Sequence, residues 1–130
     1  MISKPIIEAF QHFDYCHVPQ NISGSCDAIS IEFLRYVKEK CGLDGIVIDV
    51  STPNIEPTLG YKYFGGREQI HHYLCFFPEL GLAYDWTARQ FWDDTQVPQV
   101  MTIPEVNALW DDVIWDDARP ELEEMFNYDC

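Results

Sequence analysis

Cys26, the adjacent pair His71 and His72, and Asp85 are the residues of this chain whose types and order suit catalysis. Thiol chemistry needs a thiolate, a base to form it and a third group to orient that base. A free thiol is mostly protonated at neutral pH. A helix N-terminus lowers its pKa through the dipole and the free N–H groups, and a nearby imidazolium lowers it further. Cys26 stands where a helix is expected to begin, after a Gly24-Ser25 pair that lets a substrate approach. Asp85 beside a histidine would fix the tautomer of the imidazole and stabilise its charged form.

The elements that must position these groups follow from patterning. Ser3 and Pro5 open a first helix, with Ile6, Ile7, Phe10 and Phe13 on one face. After the polar stretch around Gln20 and Asn21, Ser23 or Ser25 caps a second helix from about Cys26 to Cys41, which Gly42 ends. Its inner face is Cys26, Ile29, Phe33 and Val37, so the sulfur points toward the sheet. Ile46 to Val50 reads as a strand, and Ser51 to Gly66 mainly as loop. His71 to Phe77 and Leu82 to Asp85 read as an antiparallel hairpin turning at Pro78 to Gly81, which sets the start of one strand beside the end of the next. Thr102 caps a further helix with Pro104 in its first turn and Val106, Leu109, Trp110 and Val113 on one face. A short acidic helix over about Pro120 to Phe126 completes a single α+β domain spanning 1–130, with its helices packed on a small antiparallel sheet.

Alternation along a strand puts His71 and His72 on opposite faces. His72 is the preferred base because Leu74 and Phe76 share its face as core neighbours; His71 is the alternative, since register shifts by one residue exchange the two.

Three segments carry a family resemblance: Gly24-Ser25-Cys26-Asp27-Ala28 opening a helix, His71-His72-Tyr73-Leu74 on a strand, and Tyr84-Asp85-Trp86-Thr87-Ala88-Arg89-Gln90-Phe91. Together they resemble the papain-like/transglutaminase-like superfamily, and within it small amidases and toxin-type domains, including protein-glutamine deamidases. The likeness runs from about 24 to 91 and is most specific at the Asp85 segment. It implies a papain-like core, with Cys26 as nucleophile, His72 as general base and acid, and Asp85 as the orienting group. The Cys26 backbone N–H is the natural oxyanion donor, and Gln20 or Asn21 would add a side-chain donor. Ser25 and Trp86 would border the substrate. The implied reaction is hydrolysis, deamidation or transamidation of a carboxamide or peptide bond in a protein or peptide substrate.

Composition narrows the classes. The formal net charge is −14, which argues against direct binding of nucleic-acid phosphates. From Asp93 onward there are 11 Asp or Glu residues against one base, Arg119, so the acidic region over about 93–130 suits a basic substrate or partner. The rival reading is a non-catalytic acidic binding or inhibitor protein that blocks a basic partner. No apolar run approaches a membrane span, and no basic-then-apolar leader is visible at the start. Five cysteines with no C-x-x-C pair point to free thiols in a reducing, cytoplasmic setting. His71, His72 and Cys75 lie close in sequence but lack the spacing of a zinc site, and no cofactor motif occurs, so neither a metal nor a cofactor is expected.

Overall fold

Helix α1 (Lys4–Phe13) begins where Ser3 O accepts from Ile7 N and buries Phe10 on its inner side. The computed structural model to which it belongs describes residues 2–13, 26–55, 70–88, 91–92 and 95–124. Helix α2 (Cys26–Cys41) follows, and Gly42, at φ +69°, ends it in the left-handed conformation that a residue without Cβ adopts freely. Its buried stripe is Cys26, Ile29, Ser30, Phe33, Leu34 and Val37, at helical spacing.

The strands are β1 (Ile46–Pro53), β2 (His71–Phe77), β3 (Leu82–Asp85), β4 (Gln99–Thr102) and β5 (Trp110–Ile114). They form one antiparallel sheet in the order β4-β3-β2-β1-β5. Between β4 and β5 runs α3 (Ile103–Leu109), and α4 (Arg119–Glu124) comes last. The architecture is mixed α/β, with helices on both faces of the sheet. Among the described residues, no helix is long and apolar enough to cross a membrane.

Each face of the sheet has its own core. On one, Ile29, Phe33 and Val37 of α2 and Phe10 of α1 meet Val47, Cys75, Phe77, Tyr84 and Trp86, joined by Ala118 and Leu122 near the end of the chain. Phe33 is the hub, with ring centroids 4.9 Å from Phe10, 4.9 Å from Trp86 and 6.0 Å from Phe77. Edge-on pairs of this kind add about 0.5–1.5 kcal/mol each beyond simple burial. On the other face, Ile48, Val50, Leu74 and Phe76 meet Phe91, Trp92, Val106, Leu109 and Trp110.

Close approach is built in where α2 ends and β1 begins. A Cβ on Gly45 would stand 2.5 Å from Leu34 Cδ2 and 2.7 Å from Phe77, so only glycine lets these chains meet. Asp117 clasps the same corner from the far end of the chain. Its carboxylate accepts from Val47 N, Arg119 N and Arg119 Nε, while Arg119 Nη2 donates to Gly45 O at 3.0 Å. Desolvation raises the Asp117 pKa, but these hydrogen bonds and the guanidinium outweigh it and hold the carboxyl below its ordinary value.

The hairpin boundaries match the sequence expectation, and so does the Thr102 cap. Thr102 Oγ1 accepts from Glu105 N, and Glu105 Oε1 accepts from Thr102 N at 2.9 Å. Two expectations are corrected. The helix after Thr102 stops at Leu109, and Trp110–Ile114 is an edge strand on β1, not a further helical turn. Trp110 and Val113 satisfy a helical face and an extended segment alike, and the open edge of β1 decides between them. Likewise β1 continues to Pro53 rather than stopping at Val50, because β5 pairs as far as Pro53.

Thr52 has φ +56°, a region that a β-branched residue avoids. It adjoins Ser51, the register partner of His71. Strain of this kind costs on the order of 1–3 kcal/mol. Thr52→Gly is therefore expected to raise stability by about 1 kcal/mol in urea unfolding, and an unchanged or lowered midpoint would count against strain at this position.

Candidate functional site

His72 and Asp85 are brought together. His72 Nε2 lies 2.9 Å from Asp85 Oδ2 and 3.1 Å from Oδ1. A carboxylate only accepts, so the contact places the ring proton on Nε2. Thr87 N donates to Asp85 Oδ1 at 3.0 Å and steadies the carboxylate. The pair is sealed from water, with His72 0% and Asp85 1% exposed. Trp110 stacks on the imidazole at 5.6 Å, and Phe91 meets it edge-on at 4.9 Å.

His71 makes a second pair. It faces the other way, and its Nε2 bonds Asp49 Oδ1, with a side chain 52% exposed. Asp49 reaches it diagonally, being the register partner of Tyr73, while Ser51 is that of His71. The Asp49 hydrogen bond raises the His71 pKa, desolvation lowers it and the Asp49 charge raises it again, leaving it above the ordinary imidazole value.

Cys26 is the first residue of α2 and fully buried. Helix α2 lies on the face that carries Tyr73, Cys75 and Phe77, which is the face of His71. Ser30 Oγ donates to Tyr73 O at 3.4 Å, Cys75 Sγ donates to Ser30 O at 3.2 Å, and Phe33 meets Phe77. Helix and strand therefore run in the same direction. Cys26, one turn before Ser30, lies toward the His71 end of β2. Leu74 and Phe76 share the face of His72, as the sequence suggested, but that is the face turned away from α2. The histidine that pairs with Asp85 and the helix that carries Cys26 thus occupy opposite sides of the sheet.

Cys26 is also disulfide-bonded, whereas Cys41 and Cys75 are free. The expectation of free thiols fails at this position. Trp86 is buried against Phe10 and Phe33 on the α2 face, so it packs beneath α2 rather than forming an open wall. Gln20, Asn21 and Ser25 lie outside the described residues. Sequence reasoning missed Asp49; its signal was an acid in an otherwise apolar β-branched run, Ile46-Val47-Ile48-Asp49-Val50. Among the described residues, no three His, Cys, Asp or Glu side chains gather as metal ligands.

No family model, curated protein or solved structure matches the chain.

The two pairs differ in what their removal should do. His72→Ala strips a fully buried carboxyl group of its partner and is expected to cost roughly 3–5 kcal/mol in urea unfolding. His71→Ala removes a half-exposed contact and should cost less than about 1 kcal/mol. Equal costs would contradict this division. The His71–Asp49 pair stabilises the fold fully below the unfolded histidine pKa of about 6.5, and that stability is lost as pH rises through the higher folded value. By NMR, the His71 ring should titrate above its ordinary value, and Asp49→Asn should bring the midpoint down; an unmoved midpoint would remove Asp49 as the cause.

Proposed function

We propose that this chain is a cysteine-dependent hydrolase or acyl-transfer enzyme acting on a carboxamide or peptide carbonyl. Cys26 in its thiol form is the nucleophile, His71 is the base and Asp49 orients it. The observation that carries the reading is the placement of Cys26 at the start of a 16-residue helix, on the sheet face and at the strand end where a His–Asp pair stands half open to solvent. The resemblance to papain-like and transglutaminase-like enzymes supports the same class, with the base moved from His72 to its neighbour. The buried His72–Asp85 pair then holds the sheet together beneath the site.

In the reaction, His71 takes the thiol proton, and the thiolate is stabilised by the helix N-terminus and by the imidazolium. The high pKa of His71 favours this ion pair. Sulfur attacks the carbonyl carbon, and the Cys26 backbone N–H faces the developing oxyanion. His71 returns its proton to the leaving amine, giving a thioester. Water, deprotonated by His71, releases the acid; an amine acceptor in its place gives transamidation. The acidic surface, including exposed Asp111 and Asp112, suits a basic protein or peptide substrate.

The burial and disulfide bonding of Cys26 favour a second reading, an acidic binding protein that blocks a basic partner and uses no nucleophile. Iodoacetamide labelling of the reduced protein across pH, read by peptide mass spectrometry, separates the two. Cys26 should label rapidly below about pH 7, with the rate falling at least tenfold in His71→Ala and holding in any His72→Ala protein that remains folded. Loss in folded His72→Ala alone would return the base to the Asp85 pair. Labelling that rises only near pH 8.5, the value of an ordinary thiol at about that pH, would leave the binding protein.

A further inference from the structure

We infer that a pocket on the sheet face opposite α2 binds a neutral carboxamide of side-chain size. The pocket has a volume of about 230 Å³ and is lined by Ile55, Trp92, Thr95, Gln99 and Leu109. Gln99 is the register partner of Asp85, and Trp92 and Leu109 belong to the core layer of Trp110. The pocket therefore lies across the sheet from Cys26, and the inference does not rest on the catalytic reading above.

Hydrogen bonding identifies the ligand. Four side chains among the described residues carry a buried nitrogen or oxygen that finds no partner in the protein, and two of them, Trp92 and Gln99, line this one pocket. Trp92 Nε1 is a donor without an acceptor, and Gln99 Oε1 is an acceptor without a donor. Each atom is closed to bulk water, so each bears the desolvation cost of an unmade bond, which a ligand with complementary groups recovers. An amide carries its acceptor and its donor on different atoms. Its oxygen accepts from Trp92 Nε1 and its nitrogen donates to Gln99 Oε1. A hydroxyl would have to serve both through one atom.

The walls set the remaining properties. No lining residue is charged, so an ion would shed its hydration without gaining a counter-charge, and the occupant is neutral. Ile55, Leu109 and the indole suit a short apolar stem. The volume falls below the roughly 300–1,000 Å³ of pockets for drug-sized ligands, which limits the occupant to about one side chain. Trp92 is held in place, with its N donating to Ala88 O at 3.0 Å and its ring against Phe91 at 5.7 Å and Trp110 at 5.9 Å. Asn54 secures the Ile55 side, since its Nδ2 donates to Ala108 O at 2.8 Å. Gln99 is only partly buried on β4, which pairs with β3 alone among the described residues, so its amide can turn to meet the ligand.

The test titrates propionamide, which reproduces a glutamine side chain, into the isotope-labelled full chain and follows the indole N–H signals by NMR. Trp92→Phe assigns the Trp92 signal by its loss. That signal should move and saturate with propionamide, while n-propanol and propionate leave it in place. Gln99→Leu should weaken binding about three- to tenfold with an unchanged far-UV circular dichroism spectrum. Ile55→Ala, at a residue 60% exposed, keeps the fold and should also weaken binding by removing an apolar wall. N-acetylglutamine N-methylamide separates the two sources of this chemistry. Binding tighter than that of propionamide assigns the pocket to a glutamine side chain on a polypeptide, and binding no tighter assigns it to a free small amide. A Trp92 signal that propionamide does not move, an equal response to n-propanol, or affinity unchanged in Ile55→Ala or in folded Gln99→Leu would each overturn the inference.

Discussion

Strand β2 lies third in a five-stranded sheet whose two faces are both covered, so its side chains beyond His71 are committed to one side or the other. That commitment governs the rest of the molecule. Tyr73, Cys75 and Phe77 receive α2, while His72, Leu74 and Phe76 go to the layer of Phe91 and Trp110. Two neighbouring histidines of identical chemistry thereby acquire opposite fates. One is enclosed by aromatic rings and a buried carboxyl group; the other stands at the solvent boundary on the face that α2 covers. Shifting the register by one residue would exchange them and would turn every other side chain of the strand onto the opposite face.

Much of this was legible in the residues. The start of α2 at Cys26, the hairpin ends, the cap at Thr102 and the pairing of His72 with Asp85 all rest on local rules of capping, alternation and turn chemistry. The side of the sheet on which α2 settles was not legible. It depends on which apolar face of β2 fits the α2 stripe, and the alternating sets Leu74/Phe76 and Cys75/Phe77 are both apolar. The strand at Trp110–Ile114 was hidden for a related reason, since a short apolar spacing serves a helix or an edge strand until a neighbour is available to pair. Asp49 acquires a partner only through cross-strand register, a long-range fact that no local window carries.

The electrostatics are equally uneven. Eight cationic side chains face 22 carboxylates in the chain, yet Arg119 is placed to bind both a carboxylate and a backbone carbonyl at the corner where β1 begins. A planar guanidinium can serve both at once, which an ammonium cannot do with the same geometry. The acidic C-terminal region is thus anchored by a cation at Asp117, while Asp111, Asp112 and Asp116 stay solvated. Mutual repulsion among those carboxylates is thereby kept outside the region where the strands must meet.

The strand order has a consequence for synthesis on the ribosome. Strand β1 is flanked by β2 on one side and by β5 on the other. The first neighbour is complete by Phe77, but the second begins only at Trp110. During elongation, the segment Ile46–Pro53 therefore has one ladder edge open while more than half of the chain has already emerged. Its apolar, β-branched sequence is of the kind that recruits foreign strands when left unpaired. The single carboxylate in its middle, Asp49, acts during that interval as a gatekeeper against edge-to-edge association, a service distinct from the one it performs once the sheet has closed.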